Sequence, residues 1–311
     1  MGRYNSYIGY FRATYGERLQ KVVIDAGFTC PNRDGRVATG GCTYCDNAAF
    51  HPGYSTPGIP IYKQIDEGIT FHRVRYRKAE KFLAYFQPYS NTYAPLDRLR
   101  RIYEEALSHP LVAGIVIGTR PDCVDDAILD YLASLAEKHI VIIEYGIESC
   151  HDRTLARINR GHTFADAVRA VEMTASRGIR QGAHFIFGLP GENIADMMEY
   201  TEAINRLPLH SVKFHQLQIV KGTAMEKEFA SHPDDFVTFS LDGYLDFMTD
   251  ILERLRPDLY IERIAGEVPP RFVNSTPWGL IRNAELIRLL ENRLEERDTW
   301  QGRLLGKKPA L

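Results

Sequence analysis

Residues 112–118 read Val-Ala-Gly-Ile-Val-Ile-Gly, an almost continuous apolar run that is typical of a strand buried on both faces. Residues 124–138 follow, and they place Val124, Ile128 and Leu132 on one side at helical spacing. A buried strand followed by an amphipathic helix is the repeating unit of a parallel α/β sheet. This stretch therefore predicts parallel strands joined by right-handed crossovers.

The same alternation extends along the chain in both directions. The six expected strands lie near residues 21–27, 81–87, 112–118, 140–147, 179–187 and 211–219. The helical patterns between them lie near residues 95–108, 124–138, 164–177 and 193–206. Six such strands form either a partial barrel or an open doubly wound sheet, and the periodicity alone does not choose between these two architectures.

The pattern changes after residue 225, where the sequence becomes mainly helical. The clearest helices there are expected near 240–256 and 280–297, with a proline-rich stretch between them. We therefore expect two units, a core barrel over residues 1–225 and a mainly helical C-terminal extension over residues 226–311 that packs on the core.

The composition is that of a globular protein with a sizeable core. The chain has 311 residues, of which 44% are hydrophobic and 25% are charged. No run of 18 apolar residues occurs, so we expect no membrane-spanning helix, and the first residues lack the apolar segment of a secretory signal. A cytoplasmic location is expected. The net charge is only −2, so a nucleic-acid partner would need a local basic patch.

Three of the five cysteines, Cys30, Cys42 and Cys45, lie together in a glycine-rich loop with the spacing C-x11-C-x2-C. Three thiolates in such a loop fit two kinds of metal centre. A structural zinc site needs a fourth ligand, which His51 could supply. An iron–sulfur cluster held by three cysteines leaves one iron open for a substrate or cofactor. The other two cysteines, Cys123 and Cys150, are interpreted as buried structural thiols.

Further motifs follow the cysteine loop in a fixed order. Strand four ends in Glu144-Tyr145-Gly146-Ile147-Glu148-Ser149, and Asn159-Arg160-Gly161-His162 comes next. Strand five ends in Phe187-Gly188-Leu189-Pro190-Gly191-Glu192. Together with Ala26 to Gly35, this order resembles the radical S-adenosylmethionine (SAM) superfamily. It is most similar to the YhcC/YtqA-type group, within the branch of coproporphyrinogen oxidase and the elongator catalytic subunit. The resemblance covers roughly residues 4–280 and implies a partial (β/α)6 TIM-like barrel.

The resemblance also implies the cofactors. Cys30, Cys42 and Cys45 would hold a [4Fe–4S] cluster whose fourth iron binds SAM. An electron from the reduced cluster would cleave SAM to a 5′-deoxyadenosyl radical, which then abstracts hydrogen from a substrate. Such an enzyme needs an electron donor such as flavodoxin or ferredoxin. The sequence does not indicate the oligomeric state.

Six residues are expected to face SAM. Gln87 stands where the family often has a Gly-Gly-Glu-like turn, and the other five are placed by the family's motifs. Arg160 would pair with the carboxylate, because a guanidinium binds a carboxylate through two hydrogen bonds. Glu148 and His184 would face the ribose, with the methionine moiety as a second possibility for His184. The remaining expected contacts are Gln87 to the SAM amino group, and Tyr44 and Phe187 on or near the adenine.

The likeness to the elongator subunit implies an RNA substrate, in particular the wobble uridine of tRNA. Residues 71–78 interleave basic and aromatic side chains, as a phosphate-binding and stacking surface would, although a solvated helix face has the same pattern. Two alternatives stay open. One is a radical SAM enzyme for a small metabolite or a porphyrin-like substrate. The other is a zinc-stabilised RNA-binding module without enzyme activity.

Overall fold

A computed structural model of the protein describes residues 2–46, 52–76, 79–275 and 278–306. Its centre is a seven-stranded parallel sheet in which each strand pairs with its neighbours in chain order, giving a half-barrel. The strands are β1 (Gln20–Ile24), β2 (Phe82–Phe86), β3 (Val112–Thr119), β4 (Ile140–Glu148), β5 (Arg180–Phe187), β6 (Ser211–Gln216) and β7 (Tyr260–Arg263). The predicted α/β class and partial barrel are confirmed.

Ten α-helices lie within the described part of the chain. They are α1 (Tyr7–Tyr15), α2 (Ile61–Arg75), α3 (Leu96–Leu107), α4 (Asp126–Ala136), α5 (Asp152–Arg157), α6 (Phe164–Ala175), α7 (Ile194–Arg206), α8 (Ala224–Ser231), α9 (Leu241–Arg254) and α10 (Asn283–Glu296). None of the helices in these ranges has the length and apolar character that a membrane crossing requires.

The sequence predicted six strands, and the structure adds β7 as a seventh. This strand has only four residues and one fully buried position, so it offers too short an alternation to be recognised in the sequence. By contrast, all nine residues of β4 are buried, because helices cover the outer face of the sheet while the barrel interior covers the inner one.

Helix α1 fills one end of the half-barrel. Its Tyr7 and Phe11 pack against Leu83, Val116 and Ile142, which lie in the first halves of their strands or near strand centres. Ser6, just before α1, also forms a parallel bridge with Ile261 of β7. Because α1 closes this end of the half-barrel, the open end is the one formed by the carboxyl ends of the strands. Barrel enzymes place their chemistry at that end.

The C-terminal segment is continuous with the barrel, because β7 extends the sheet and α9 packs against α7 and α10. Leu286, Leu290 and Leu294 of α10 belong to the same buried cluster as the sheet. The division into units at residue 225 stays a prediction.

Candidate active site

The loop with the three cysteines is tied to the turn that follows α5. Asn32 is fully buried, and its side-chain amide donates to the backbone oxygens of Asn159 at 2.5 Å and Arg160 at 2.8 Å. The backbone N–H of Thr43 donates to the oxygen of Ile158 at 3.0 Å. These bonds fix a loop that has no helix or strand of its own.

The three cysteines line one cavity of about 250 Å³ at the carboxyl ends of the strands. Cys30 and Cys42 are buried, Cys45 is partly exposed, and burial together with Cys42 raises the pKa of the Cys45 thiol. No three His, Cys, Asp or Glu side chains of the described ranges converge closely enough to hold a single metal ion. His51, the fourth ligand of the zinc hypothesis, lies outside the described residues.

The strands aim alternate side chains into this cavity. On β4, Glu144, Gly146 and Glu148 line it, and on β5 His184 and Ile186 do so, as the two-residue period of a strand requires. The structure thus brings five of the six expected SAM contacts together with the cysteines. These five residues are Tyr44, Gln87, Glu148, Arg160 and His184.

Phe187 is not brought to the cysteine cavity. It follows Ile186 on β5, so its side chain lies on the opposite face of the sheet. It is fully buried there, with its ring centroid 5.1 Å from that of Phe214 and 4.8 Å from that of Phe247. Its aromatic ring therefore belongs to the packing between the sheet and the helices.

Arg160 is buried and lies beside the cysteines. Its Nη1 donates to the Sγ of Cys42 at 3.5 Å, its Nη2 donates to the oxygen of Gly146, and Nη2 also lies 3.5 Å from Oε1 of Glu148. Burial alone would lower the pKa of Arg160, but Tyr44, Cys42 and Glu148 raise it well above the ordinary value. Its Nε has no hydrogen-bond partner among the described residues, so this buried cation fits an incoming carboxylate.

Glu148 ends β4 in an unusual backbone conformation. Its φ is +73°, and the pairing of β4 with β5 shifts register between Gly146 and Glu148. Positive φ is costly for a residue with a side chain, and such conformations concentrate at functional sites. The irregularity turns the Glu148 carboxylate toward Arg160 at the mouth of the cavity.

The motif Thr119-Arg120-Pro121-Asp122 at the end of β3 holds the backbone of the turn that contains Arg160. Arg120 is buried and binds Asp122 through two parallel hydrogen bonds of 2.8 and 2.7 Å. Its remaining Nη1 donates to the backbone oxygen of Arg160 at 2.5 Å. The two-residue Arg–Asp spacing in the sequence gives no sign of the partner 40 residues away.

A buried ionic network forms the floor of the cavity. Glu144 accepts from Lys21, from Lys213 at 2.5 Å and lies 3.1 Å from Nε2 of His184, while Glu262 pairs with both lysines. Burial would raise the pKa of Glu144, but Lys21 and Lys213 hold it well below the usual range. Sequence reasoning missed this network, although a carboxylate within the apolar run of β4 was a usable signal.

Residues 71–75 of the basic segment form the end of α2, an outer helix. Arg77 and Lys78 lie outside the described residues. Phe71 and Val74 are exposed, and the His72 ring contacts Tyr54. RNA binding by this segment stays a prediction.

Together, a half-barrel and a three-cysteine cavity beside a buried arginine define the class of radical SAM proteins. The chain belongs to this superfamily, whose profile matches residues 33–204, and the profile of the radical SAM C-terminal domain matches residues 209–296. Its cofactors are a [4Fe–4S] cluster and SAM, and it is an enzyme. Family membership therefore decides against the zinc-stabilised binding module.

Full-length relatives place the chain in a narrower group. It is 37% identical to the uncharacterized protein YtqA of Bacillus subtilis, covering 98% of this chain and 94% of that protein. It is 33% identical to protein YhcC of Escherichia coli, covering 97% and 96%. The predicted YhcC/YtqA-type assignment is confirmed.

More distant similarities reach one solved structure and one curated enzyme. The solved structure of Elp3 from the archaeon Methanocaldococcus infernus superposes with a TM-score of 0.67 at 15% identity, covering 94% of this chain and 68% of that one. This match shows a shared fold. A tRNA uridine(34) acetyltransferase of Dehalococcoides mccartyi is 22% identical over 64% of this chain and 42% of its own length.

Proposed function

We propose that this radical SAM enzyme acts on tRNA and removes a hydrogen atom from the C5 side chain of the wobble uridine. The similarity to a tRNA uridine(34) acetyltransferase over 206 residues carries this proposal, because it links the barrel to a uridine at the wobble position. The Elp3 fold, which spans nearly the whole chain, supports it. The proposal concerns the radical step alone and includes no acetyl transfer.

The residues around the cysteine cavity have proposed roles in cofactor binding. Cys30, Cys42 and Cys45 would hold the cluster, and Arg160 would bind the SAM carboxylate through its free Nε and its Nη groups. When bound, the reduced cluster and SAM supply a 5′-deoxyadenosyl radical that takes one hydrogen atom from the substrate. The thiol of Cys45 must lose its proton on binding iron, and the nearby guanidinium of Arg33 favours that loss.

The remaining contacts would orient the nucleoside part of SAM. Glu148 accepts hydrogen bonds, as a ribose diol requires, and its carboxylate is already held near Arg160. Nε2 of His184 lies 3.1 Å from Glu144, so the floor network would fix the orientation of the ring. Gln87 makes no side-chain hydrogen bond with the described residues, which leaves its amide oxygen available for the SAM amino group.

The chain would divide this work between two units. We propose that residues 1–225 form the barrel that cleaves SAM and that residues 226–311 supply one side of the substrate site. The electron would come from a one-electron donor such as flavodoxin or ferredoxin. Arg33 and Arg36, both exposed on the cysteine loop, would meet that donor beside Cys45, the most exposed of the three ligands.

Anaerobic reconstitution tests the proposal directly. The cluster-loaded enzyme is reduced with dithionite in the presence of SAM and of tRNA from a strain that lacks this enzyme. We expect 5′-deoxyadenosine to form, and mass spectrometry of the digested tRNA should show an altered wobble nucleoside. Formation of 5′-deoxyadenosine with unchanged tRNA, combined with turnover of a tetrapyrrole or a small metabolite, would overturn the tRNA proposal and leave the radical chemistry standing.

A further inference from the structure

A second and larger cavity, of about 920 Å³, adjoins the cysteine cavity. The two cavities share Gln216, Leu217, Gln218 and Gly266, which lie at the end of β6, just after it, and just after β7. Most of its remaining wall comes from the C-terminal segment. A cavity of this size is at the upper end of the range for small-molecule and cofactor sites, and it borders directly on the place where SAM would react.

Aromatic rings form one wall of this second cavity. Phe239 and Trp278 line it, and the Nε1–H of Trp278 donates to the backbone oxygen of Phe239 at 2.9 Å. The Trp278 ring also packs on Tyr244, with centroids 4.8 Å apart. The indole is thus held in place and presents a fixed apolar surface, which suits a planar ring that stacks.

At the junction of the cavities, the side chain of Gln218 has no hydrogen-bond partner in the described ranges, and it lines both cavities. Gln216, two residues earlier, uses both polar atoms of its amide on the backbone of Gly266, at 3.2 and 2.8 Å. The His215 ring lines the cysteine cavity, 5.8 Å from the ring of His184. A Cβ on Gly266 would lie 2.8 Å from Nδ1 of His215, so the ring can occupy this position only because residue 266 has no side chain.

Exposed cations lie on the rims of both cavities. Lys227 and Arg282 lie on the second cavity and Arg263 on the cysteine cavity, and none of the three forms a salt bridge with another described residue. Two carboxylates share the rim of the second cavity, where Glu226 accepts from the backbone N–H of Gly222 at 2.7 Å and Glu267 accepts from a backbone N–H. Unpaired cations around an apolar cavity suit a ligand that carries phosphates on a flat, apolar ring.

We propose that the second cavity holds one unstacked uridine nucleotide of the RNA substrate. Its base would stack on Trp278, the amide of Gln218 would pair with the base edge, and the rim cations would hold the flanking phosphates. A glutamine amide offers a donor beside an acceptor, which matches the N3–H and O4 of uracil. This inference rests on the proposed function, since it assumes an RNA substrate.

The chain provides an optical test, because it contains only two tryptophans. In the Trp300→Phe variant, Trp278 is the single fluorescent indole. The cluster-loaded variant is titrated with a synthetic anticodon stem-loop that carries uridine at the wobble position. Binding is followed separately by electrophoretic mobility shift. We expect Trp278 fluorescence to fall in step with binding, because a stacked base quenches an indole.

The two failures are distinguishable. A stem-loop that binds while Trp278 fluorescence stays constant overturns the cavity assignment and leaves the tRNA proposal standing. A stem-loop that does not bind at all overturns the tRNA proposal, and the cavity assignment fails with it.

A matched pair of variants tests whether the amide of Gln218 recognises the uracil base. Gln218→Met keeps the side-chain volume and removes the amide, so we expect about tenfold weaker binding of the uridine stem-loop. The preference for uridine over adenosine at the wobble position should also be lost. Gln20→Met makes the same change at the start of β1, and this variant should bind the uridine stem-loop with wild-type affinity. Wild-type affinity and preference in Gln218→Met would overturn the role of this residue.

Discussion

The side-chain amide of Asn32 donates a 2.8 Å hydrogen bond to the backbone oxygen of Arg160, 128 positions further along the chain. The same oxygen accepts a second bond from Arg120. One carbonyl therefore joins the cysteine loop, the motif after β3 and the turn that presents the buried arginine. The proposed cluster ligands and the proposed SAM carboxylate partner are therefore positioned as one unit.

Replacing Asn32 should release the cysteine loop from the turn that contains Arg160. Asn32→Ala removes the donors to two buried backbone oxygens, so we expect the free energy of unfolding of the apoprotein to fall by about 1–3 kcal/mol. Iron incorporation should fall as well, because the loop loses its fixed position. Urea unfolding and iron and sulfide analysis measure the two effects. Asn292→Ala, at an exposed position on α10, is the matched control and should change neither quantity.

Much of the fold could be predicted from the sequence, because its strands are buried on both faces and so form continuous apolar runs. β3 and β4 show this most clearly. The strand–helix alternation did not include α1 and α2, which have nine and 15 residues. The other features that escaped prediction were short or non-local. β7 has four residues and α5 has six, too few for a reliable period.

In the candidate site, too, the local features could be predicted from the sequence and the non-local ones could not. The spacing of the cysteines is local, so the sequence placed them together. Phe187 was expected near SAM, but the strand period turns its ring to the opposite face. The bond from Arg120 to the Arg160 turn and the network around Glu144 join residues far apart in sequence. A carboxylate in the apolar run of β4 indicates a buried charge, but it does not identify the partners.

The five cysteines should divide into two functional classes. Cys45→Ala should lose most of its iron and all 5′-deoxyadenosine formation, because the cluster would keep only two protein ligands. Cys150→Ala is the matched control. Burial, followed by Glu192, raises the pKa of Cys150 to about 12, so this thiol stays protonated and is expected to be dispensable. Equal iron content in the two variants would contradict the assignment of Cys45.

Arg160 should be intolerant even of lysine. Arg160→Lys keeps the positive charge but loses the planar fork, so we expect SAM to bind about 10- to 100-fold more weakly to the cluster-loaded enzyme. Arg157→Lys, one turn earlier, alters an arginine that pairs with Glu228 and Asp235 on the surface. Equilibrium dialysis with labelled SAM compares the two. Similar dissociation constants for both variants would argue against carboxylate binding by Arg160.

Gly146 should tolerate no side chain. A Cβ at this position would lie 2.5 Å from Oε1 of Glu148 and 2.6 Å from Nη2 of Arg160, closer than such atoms approach. We expect Gly146→Ala to displace both tips and to raise the KM for SAM at least about tenfold, with about 1–3 kcal/mol lost in stability. Gly53→Ala meets nothing within 4 Å and serves as the control. An unchanged KM in Gly146→Ala would show that the tips of Glu148 and Arg160 do not contact SAM.

His162 should make the protein sensitive to acid. The ring is buried beside the Arg160 turn, and burial, followed by the charge of Arg160, lowers its pKa to about 3. An unfolded histidine binds a proton near pH 6.5. Between these two values the unfolded chain therefore holds more protons than the folded one, and stability falls as the pH drops. At pH 4.5 this residue alone should cost about 2–3 kcal/mol relative to pH 7.

The variant His162→Gln removes the titrating group, so its free energy of unfolding should decline less steeply than that of the wild type between pH 6.5 and 4.5. Urea unfolding of the apoprotein at a series of pH values measures both curves. His232→Gln, at an exposed position, controls for the loss of an imidazole as such. His210 and His215 are partly buried, their pKa values are also lowered, and both remain in the variant, so some slope will persist. If the free energy of unfolding depends on pH equally in His162→Gln and the wild type, His162 does not cause the loss of stability at low pH.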